Sequence, residues 1–332
     1  ILKNYFILLL KNLIIILPNF SNIFNNKLIN NYEINQFYKD YDKIFINYTN
    51  LDPLFIGLAF SLELNISTYY NKLLSYNTLK NILIATGAKA NRPDIPGIDL
   101  PGVMTSEELL LSNESRYKKM LILGGGVIGL ELATVFNALG TEVTIIESAG
   151  RLLPKMDPEF SEALEDILKQ RGIRICKASI LESIRERDGG LYCKYLNKGK
   201  YERETVDAVL ISVGRSAYTE NLFSPDVPVK IEEGKIVVDE FFMTSIPGVY
   251  AIGDVIQGVQ LAHVASAQAS YVVERMNGKK PTFMLDMVPS GLFVKMSIIP
   301  SCVYTEPEIA SVGLSEEEAK MYGVPVRCGK CV

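Results

Sequence analysis

The stretch KKMLILGGGVIGLELATVFNALGTEVTIIES, from Lys118 to Ser148, decides the fold. Its glycines Gly124, Gly126 and Gly129 have the spacing GxGxxG, and they separate two apolar segments, the second of which ends at Glu147. A strand, a glycine turn, a helix and a second strand ending in a carboxylate form a βαβ dinucleotide-binding unit. The stretch therefore predicts such a unit more than a third of the way along the chain.

The three glycines have separate roles in this interpretation. Gly124 permits the tight turn, Gly126 lets backbone amides approach a pyrophosphate, and Gly129 lets the next helix pack closely on the strand. The first turn of that helix, Val127 and Ile128, presents its N–H groups to the phosphates. The alternative is a turn that only packs a strand against a helix, but all parts of the binding unit are present, which favours nucleotide binding.

The carboxylate of Glu147 predicts which dinucleotide binds. Glu147 lies eighteen residues after Gly129, behind a helix predicted over Val127 to Leu139 and a strand over the segment EVTIIE. A carboxylate in this position accepts hydrogen bonds from ribose hydroxyls and repels a 2′-phosphate. The sequence therefore predicts NAD rather than NADP.

Composition limits the class of protein. The 332 residues are 48% hydrophobic, which is enough for two or more domains with sizeable cores. A formal charge of −4 without a long basic run gives no electrostatic reason to expect nucleic acid or an anionic membrane as a partner. Five irregularly spaced cysteines do not resemble a secreted disulfide framework, so we expect a cytoplasmic protein.

The first eighty residues differ in kind from the rest. They are dominated by Ile, Leu, Asn, Lys, Tyr and Phe, and their one glycine is Gly57, so a second GxGxxG cannot lie there. The apolar run Tyr5 to Leu17 raises the alternatives of a signal peptide or a membrane span. Lys11 and Asn12 interrupt the run, which is shorter than the roughly 20 apolar residues that a span needs. We expect no membrane segment and interpret residues 1–80 as degenerate or unassigned.

Three more apolar segments end in glycine or polar residues, as strands at nucleotide sites do. Such a junction is also an ordinary turn, so each signal alone is weak. The segments and their ends are Ile82 to Ala85 with Thr86-Gly87, Leu210 to Val213 with Gly214-Arg215, and Val249 to Ile252 with Gly253-Asp254.

Three helices are also predicted. One begins at about His263, another covers Thr105 to Leu111 with Ser106 as its N-cap, and a third is capped by Ser315 with Glu318.

The order of these motifs resembles the flavin-dependent pyridine nucleotide disulfide oxidoreductases, most closely the dihydrolipoyl dehydrogenases. The resemblance covers roughly Leu79 to Lys330. It implies an α/β fold in which a Rossmann-like NAD domain is inserted in a partial FAD domain, followed by the start of an α+β dimerisation domain. The motifs are ATG (85–87), GGGVIGLE (124–131), Glu147, SVGR (212–215), GVYAIGD (248–254), LAHVASAQA (261–269) and PSCVYTEPEIASVGLSEEEAK (300–320).

The resemblance divides the chain into five segments. Residues 1–80 stand in place of the N-terminal half of the FAD domain, 81–116 belong to that domain, and 117–240 form the NAD domain. Residues 241–298 return to the FAD domain, and 299–332 begin the dimerisation domain. The near-duplication of VPSG at Val288 and IPSC at Ile299 suggests an insertion between 289 and 299.

Site residues also follow from the resemblance. Asp254 binds the ribityl chain of the flavin in this assignment, and Glu131 lies near the nicotinamide and the flavin. The NAD site comprises Gly124, Gly126, Val127, Ile128, Gly129, Glu147 and Gly214. The FAD site comprises Ala85, Thr86, Gly87, Gly253, Asp254 and the backbone of Leu261, Ala262 and His263.

The implied activity is hydride transfer between NAD(H) and FAD. In intact relatives it is coupled to the dihydrolipoyl arm of a 2-oxoacid dehydrogenase complex, with a lipoyl-bearing acyltransferase as partner and a homodimer as the assembly. The sequence departs from the family pattern because its first cysteine is Cys176, so the family's N-terminal CxxxxC pair has no counterpart, and neither has its C-terminal His-Glu couple. We therefore assign no catalytic residue and leave open the alternative of an inactive NAD-binding remnant or regulatory module.

Two further expectations concern FAD and the cysteines. FAD should be held weakly or not at all, because residues 1–80 offer no glycine turn for its pyrophosphate. Cys328 and Cys331 form a CxxC pair without the helix N-terminus of a redox site or the two further ligands of a zinc site. We interpret Cys176, Cys193 and Cys302 as buried apolar side chains. No metal site is predicted.

Overall fold

The computed structural model describes residues 5–10, 13–18, 81–112, 116–223, 227–279 and 299–331, the first two ranges by their backbone alone. The predicted insertion between 289 and 299 and most of the degenerate segment lie outside the described residues. The strands are β1 (Tyr5–Leu10), β2 (Leu13–Pro18), β3 (Asn81–Ile84), β4 (Ala88–Ala90), β5 (Val103–Thr105), β6 (Lys119–Leu123), β7 (Glu142–Ile146), β8 (Arg174–Cys176), β9 (Ser179–Arg187), β10 (Gly190–Asn197), β11 (Lys200–Val206), β12 (Ala208–Ile211), β13 (Arg215–Ala217), β14 (Ile231–Glu232), β15 (Lys235–Ile236), β16 (Val249–Ala251), β17 (Ser301–Val303) and β18 (Ile309–Ser311). The helices are α1 (Ser106–Leu111), α2 (Val127–Ala138), α3 (Pro158–Gln170), α4 (Ala262–Met276) and α5 (Glu316–Met321), with a 3-10 turn at Gly253–Val255.

The chain forms two compact units. One comprises Ile1–Ala88 and Ala217–Pro289, and the other Lys89–Ser216 and Ser290–Val332. We call them the discontinuous unit and the nucleotide unit. The domain boundaries at 117 and 240 remain predictions from the sequence.

The nucleotide unit is built on a five-stranded parallel sheet in the order β5-β12-β6-β7-β8. Four of the five residues in β6 and in β7 are buried, because a parallel sheet is covered on both faces and its strands are apolar without alternation. The predicted strand, helix and strand of the opening stretch are confirmed.

Two layers cover this sheet. Residues Met120 and Ile122 of β6 pack in one core with side chains of α2 and α3, including Leu130 and Leu164. Leu121 and Leu123 point to the opposite face and share a second core with the antiparallel sheet β9-β10-β11. The period-2 alternation along β6 therefore assigns its side chains to two separate cores.

Residues 299–331 also belong to the nucleotide unit. β17 and β18 pair as an antiparallel hairpin, and the buried side chains of Val303 and Ile309 join the core beneath α2. The predicted cap of α5 is confirmed: the Ser315 hydroxyl accepts from the Glu318 N–H, and the Glu318 carboxylate accepts from the Ser315 N–H. We call residues 299–331 the dimerisation segment.

The prediction for the N-cap of α1 is wrong by one residue. The cap is Thr105, and Ser106 is the first helical residue. A capping box needs a glutamate or glutamine three residues after the N-cap. Glu108 is three residues after Thr105 and forms a reciprocal capping box with it, whereas the residue three positions after Ser106 is Leu109. The glutamate therefore selects Thr105 over Ser106.

The discontinuous unit has a sheet of order β1-β2-β3-β16, in which β2, β3 and β16 are parallel and β1 is antiparallel to β2. The described parts of the apolar run Tyr5 to Leu17 thus lie in two strands. Within the described ranges, no helix combines the length and apolar character that crossing a membrane requires.

Candidate functional site

The glycine turn at the end of β6 has the backbone geometry that the sequence predicts. Gly124 has a φ of +113°, and a Cβ there would come within 2.4 Å of the Ser212 carbonyl oxygen. A Cβ on Gly129 would come within 2.2 Å of the Gly124 carbonyl oxygen, so α2 packs against the turn itself. At both positions only glycine fits without movement of the backbone.

Gly126 differs from these two glycines because it faces open space. A Cβ on Gly126 would have no heavy atom within 4 Å among the described residues. Gly126 is the N-cap of α2, and no described side chain caps this helix end. The first-turn residue Val127 is exposed and Ile128 is half-buried. An uncapped helix N-terminus with room beside it fits an anionic group such as a pyrophosphate.

Glu147 is buried beside this turn. One carboxylate oxygen, Oε2, accepts a hydrogen bond of 2.6 Å from the Gly125 N–H, and Oε1 accepts one of 2.6 Å from the Ala149 N–H. Oε2 keeps a lone pair for a ribose hydroxyl, and Oε1, which also accepts from the exposed Ser148 hydroxyl at 3.3 Å, can exchange that donor for a second ribose hydroxyl. The structure thus places Glu147, the predicted ribose ligand, next to the glycine turn and shows that its carboxylate holds the Gly125 N–H of that turn. The GxGxxG spacing alone assigns no role to Gly125.

Ser212 is a second contributor that the sequence interpretation missed. Its hydroxyl donates to two carbonyl oxygens of the turn, that of Leu123 at 3.0 Å and that of Gly124 at 3.2 Å. Gly214, two residues further on, has a φ of +101° and is exposed, as expected for a close backbone approach to a ligand. The signal was present in the motif SVGR, but only the parallel pairing of β12 with β6 brings Ser212 to the turn.

Glu131 lies one turn into α2 and is half-buried. Its Oε1 accepts a 2.8 Å hydrogen bond from the N–H of Tyr304 in the dimerisation segment. The resemblance places this glutamate near the nicotinamide and the flavin, and that role stays a prediction. The observed contact shows that the carboxylate connects α2 to the dimerisation segment.

The predicted FAD residues lie in the discontinuous unit. β3 and β16 are parallel neighbours, so Ala85 to Gly87 and Gly253 to Asp254 follow strands that end at one edge of the sheet. Gly87 and Gly253 have φ values of +69° and +74°. The Gly253 N–H donates to Gln268 Oε1 at 2.7 Å, which fixes the turn before Asp254.

Two features of this edge fit a polar ligand. Thr86 is fully buried, and its hydroxyl has no hydrogen-bond partner among the described residues, which is costly unless a ligand or water supplies one. α4 begins after Leu261 without a capping side chain, and Ala262 and His263 are exposed in its first turn. These groups fit a polar ligand, and their assignment to FAD stays a prediction.

The cysteines do not form a redox centre in the described part of the chain. Cys176 and Cys193 are buried, and burial raises the pKa of both thiols, that of Cys193 to about 12, which disfavours the reactive thiolate. Cys302, predicted to be buried, is exposed, because it occupies the outward position of the short strand β17. Cys328 and Cys331 are exposed outside any helix, and no cluster of three metal-ligating residues occurs among the described residues.

Comparison with known proteins agrees with this geometry. Residues 67–269 match the family model for pyridine nucleotide-disulphide oxidoreductases, and residues 299–332 match its dimerisation domain. The dihydrolipoyl dehydrogenase of Bacillus subtilis is 37% identical over 255 residues, which are 76% of this chain and 51% of the relative. The mitochondrial dihydrolipoyl dehydrogenase 1 of Arabidopsis thaliana is 34% identical over 260 residues, 76% of this chain and 48% of the relative.

Solved structures give the same result. The HOCl-induced flavoprotein disulfide reductase RclA from Escherichia coli, in its Cu(II) complex, matches with a TM-score of 0.64 and 29% identity, over 73% of this chain and 53% of that one. The chain thus spans about half the length of the relatives that it matches. Family membership implies NAD and FAD as cofactors, and the glycine turn with Glu147 and the edge with Thr86 fit them. The chain belongs to the pyridine nucleotide-disulphide oxidoreductase family.

Proposed function

We propose that this chain is part of a dihydrolipoyl dehydrogenase-like oxidoreductase that transfers hydride between NAD(H) and FAD. The observation that most directly supports the proposal is the position of the buried Glu147 carboxylate, which accepts a hydrogen bond from the Gly125 N–H of the glycine turn. It puts an acceptor for ribose hydroxyls beside an uncapped helix N-terminus, the two features that an NAD site needs.

Each group of the nucleotide unit has a binding role in this proposal. The N–H groups of Gly126, Val127 and Ile128 bind the pyrophosphate, Glu147 binds the adenosine ribose, and Gly214 approaches the dinucleotide through its backbone. Glu147 also disfavours NADP, because a 2′-phosphate would bring negative charge against a buried carboxylate. NAD, when bound, supplies the hydride donor or acceptor, and the protein supplies binding and orientation.

The residues of the discontinuous unit have the corresponding roles for FAD. Thr86 would offer its unpartnered hydroxyl, Asp254 would accept from the ribityl hydroxyls, and the backbone of Leu261 to His263 would contact the flavin. His263 acts here through its backbone and not as a base. In intact relatives the reaction continues to lipoamide on an acyltransferase of a 2-oxoacid dehydrogenase complex. We propose the same partner, a homodimer and a cytoplasmic location for the whole protein.

The chemistry of the 332-residue polypeptide can be tested by comparing two activities. With FAD added, we expect NADH to reduce an artificial dye, because this step needs only positioned rings. We expect lipoamide turnover at background, since the sequence contains no CxxxxC pair to attack the substrate disulfide. The measurement is the NADH-dependent rate with each acceptor, in protein purified without cofactor and with added FAD.

The double variant Cys328→Ser/Cys331→Ser is the control, and both rates should be unchanged in it. Lipoamide turnover that disappears in this variant would overturn the argument about the thiols. Protein that binds NADH but reduces neither acceptor with FAD present would instead favour a nucleotide-binding module without turnover.

A further inference from the structure

The glycine turn contains two peptide groups whose orientations determine where its N–H groups point. The peptide between Gly124 and Gly125 is held at both ends. Its carbonyl oxygen shares the hydrogen of the Ser212 hydroxyl with the Leu123 carbonyl oxygen, at 3.2 and 3.0 Å, and its N–H donates to Glu147 at 2.6 Å. This first peptide is therefore fixed by residues already assigned to the site.

The next peptide, between Gly125 and Gly126, is held by a different residue. The Gly125 carbonyl oxygen accepts a 3.0 Å hydrogen bond from the Leu153 N–H. In a planar trans peptide the C=O and N–H groups point in opposite directions. Fixing the carbonyl toward Leu153 therefore points the Gly126 N–H away from it. Leu153 thus controls the orientation of one of the amides assigned to the pyrophosphate.

Leu153 has an unusual conformation for a leucine. Its φ is +44°, in the left-handed region that residues with a Cβ rarely adopt. Such a conformation persists only where the surroundings enforce it. The buried side chains of Leu152 and Leu153 contribute, and the Ser161 hydroxyl donates to the Leu153 carbonyl oxygen at 3.3 Å.

Arg151 closes the loop that contains Leu153. Its Nη2 donates to the carbonyl oxygen of Pro154 at 2.7 Å and to that of Met156 at 3.4 Å. The guanidinium thereby bridges the two sides of residues 151–156. The strained residue lies within the bridged segment, so loss of the bridge releases the loop toward ordinary conformations.

Arg151 is in turn held by the dimerisation segment. Its Nη1 and Nη2 donate to Oε1 and Oε2 of Glu317 in α5 at 3.2 and 2.9 Å, a two-bond arrangement that fixes the plane of the guanidinium. The hydrogen bond from Arg151 also lowers the pKa of the Glu317 carboxyl from its usual value. A second ion pair, Arg171 with Glu306 at 2.8 Å, connects the same segment to the C-terminal end of α3.

We propose that Arg151, oriented by Glu317, is a positioning residue for NAD binding that acts through Leu153 on the Gly125–Gly126 peptide. The inference rests on the proposed binding of NAD at this turn. It couples the dimerisation segment to the nucleotide site. A change in α5 then alters the affinity for NAD, and NAD binding stabilises the docked position of α5 by the same factor.

The test uses the full chain with Arg151→Gln, Glu317→Gln and the double variant. Glu306→Gln is the matched control, since it removes an ion pair of the same segment whose partner, Arg171, lies outside residues 151–156. The dissociation constant for NADH is measured by titration, and hydrogen exchange of the segment 147–156 is measured without nucleotide. We expect affinity to fall about three- to tenfold in each single variant, with a less than additive loss in the double variant.

Hydrogen exchange at the Leu153 amide should be faster in these variants, and Glu306→Gln should match the wild type in both measurements. The inference is overturned if Glu317→Gln is indistinguishable from Glu306→Gln in affinity and in exchange. If the wild type binds no NADH, the proposed function fails, and exchange alone then decides whether Arg151 holds the loop. Unchanged exchange in Arg151→Gln would reject that role.

Discussion

Gly124→Ala is expected to destabilise the nucleotide unit by about 2–6 kcal/mol and to abolish NADH binding. An alanine would have to adopt a φ of +113°, and its Cβ would meet the Ser212 carbonyl oxygen at 2.4 Å. The backbone strain alone costs roughly 1–3 kcal/mol, and moving two packed strand ends apart adds a similar amount. The measurements are chemical denaturation and NADH titration of the full chain.

Gly126→Ala is the matched control for the previous substitution. Gly126 has a φ of −82° and room for a Cβ. The free energy of unfolding of the variant should therefore differ from that of the wild type by about 0.5–1 kcal/mol at most. NADH affinity should nevertheless fall at least about tenfold, because the methyl group occupies the space assigned to the pyrophosphate. Wild-type affinity in Gly126→Ala would show that the pyrophosphate lies elsewhere.

Glu147→Ala should weaken NADH binding by about a hundredfold or more. The substitution leaves the N–H groups of Gly125 and Ala149 without their acceptor, which costs roughly 1–3 kcal/mol for each group that stays buried. It also removes the acceptor for the ribose hydroxyls. Binding of NADH and NADPH is measured by titration, and the preference between them should be lost with the carboxylate.

Two variants refine this result. Glu147→Gln keeps the shape but places an NH2 group against a backbone N–H, so it should lose most of the preference for NADH. Ser148→Ala removes an exposed hydroxyl 3.3 Å from Glu147 Oε1 and should stay within about threefold of the wild type. A Glu147→Gln protein that still prefers NADH strongly would contradict the assignment of Glu147 to the ribose.

The opening stretch was predictable because its signals are local. The glycine spacing, the apolar segments and the position of Glu147 agree with one another over thirty-one residues, and β6, α2 and β7 form where they are predicted. The capping box at Ser315 follows the same logic. Local sequence also contains the information that Thr105 caps α1, since Glu108 is three residues away.

The supports of the turn were not predictable in the same way. Ser212 lies 88 residues after Gly124 in the sequence, and it contacts the turn because β12 pairs with β6. Leu153 adopts a positive φ that no propensity favours for leucine, because burial and hydrogen bonds outweigh the local preference. The contact of Glu131 with Tyr304 likewise depends on tertiary packing. Each of these residues acts through a distant neighbour, and a single sequence does not reveal such neighbours.

The central claim is that Glu147 and the glycine turn form an NAD site, and calorimetric titration of the wild-type chain with NADH and with NADPH tests it most directly. A 2′-phosphate against a buried carboxylate costs several kcal/mol, so we predict NADH binding at least about tenfold tighter than NADPH, with one NADH per chain. Equal or tighter binding of NADPH, or no binding of either nucleotide, would contradict the account.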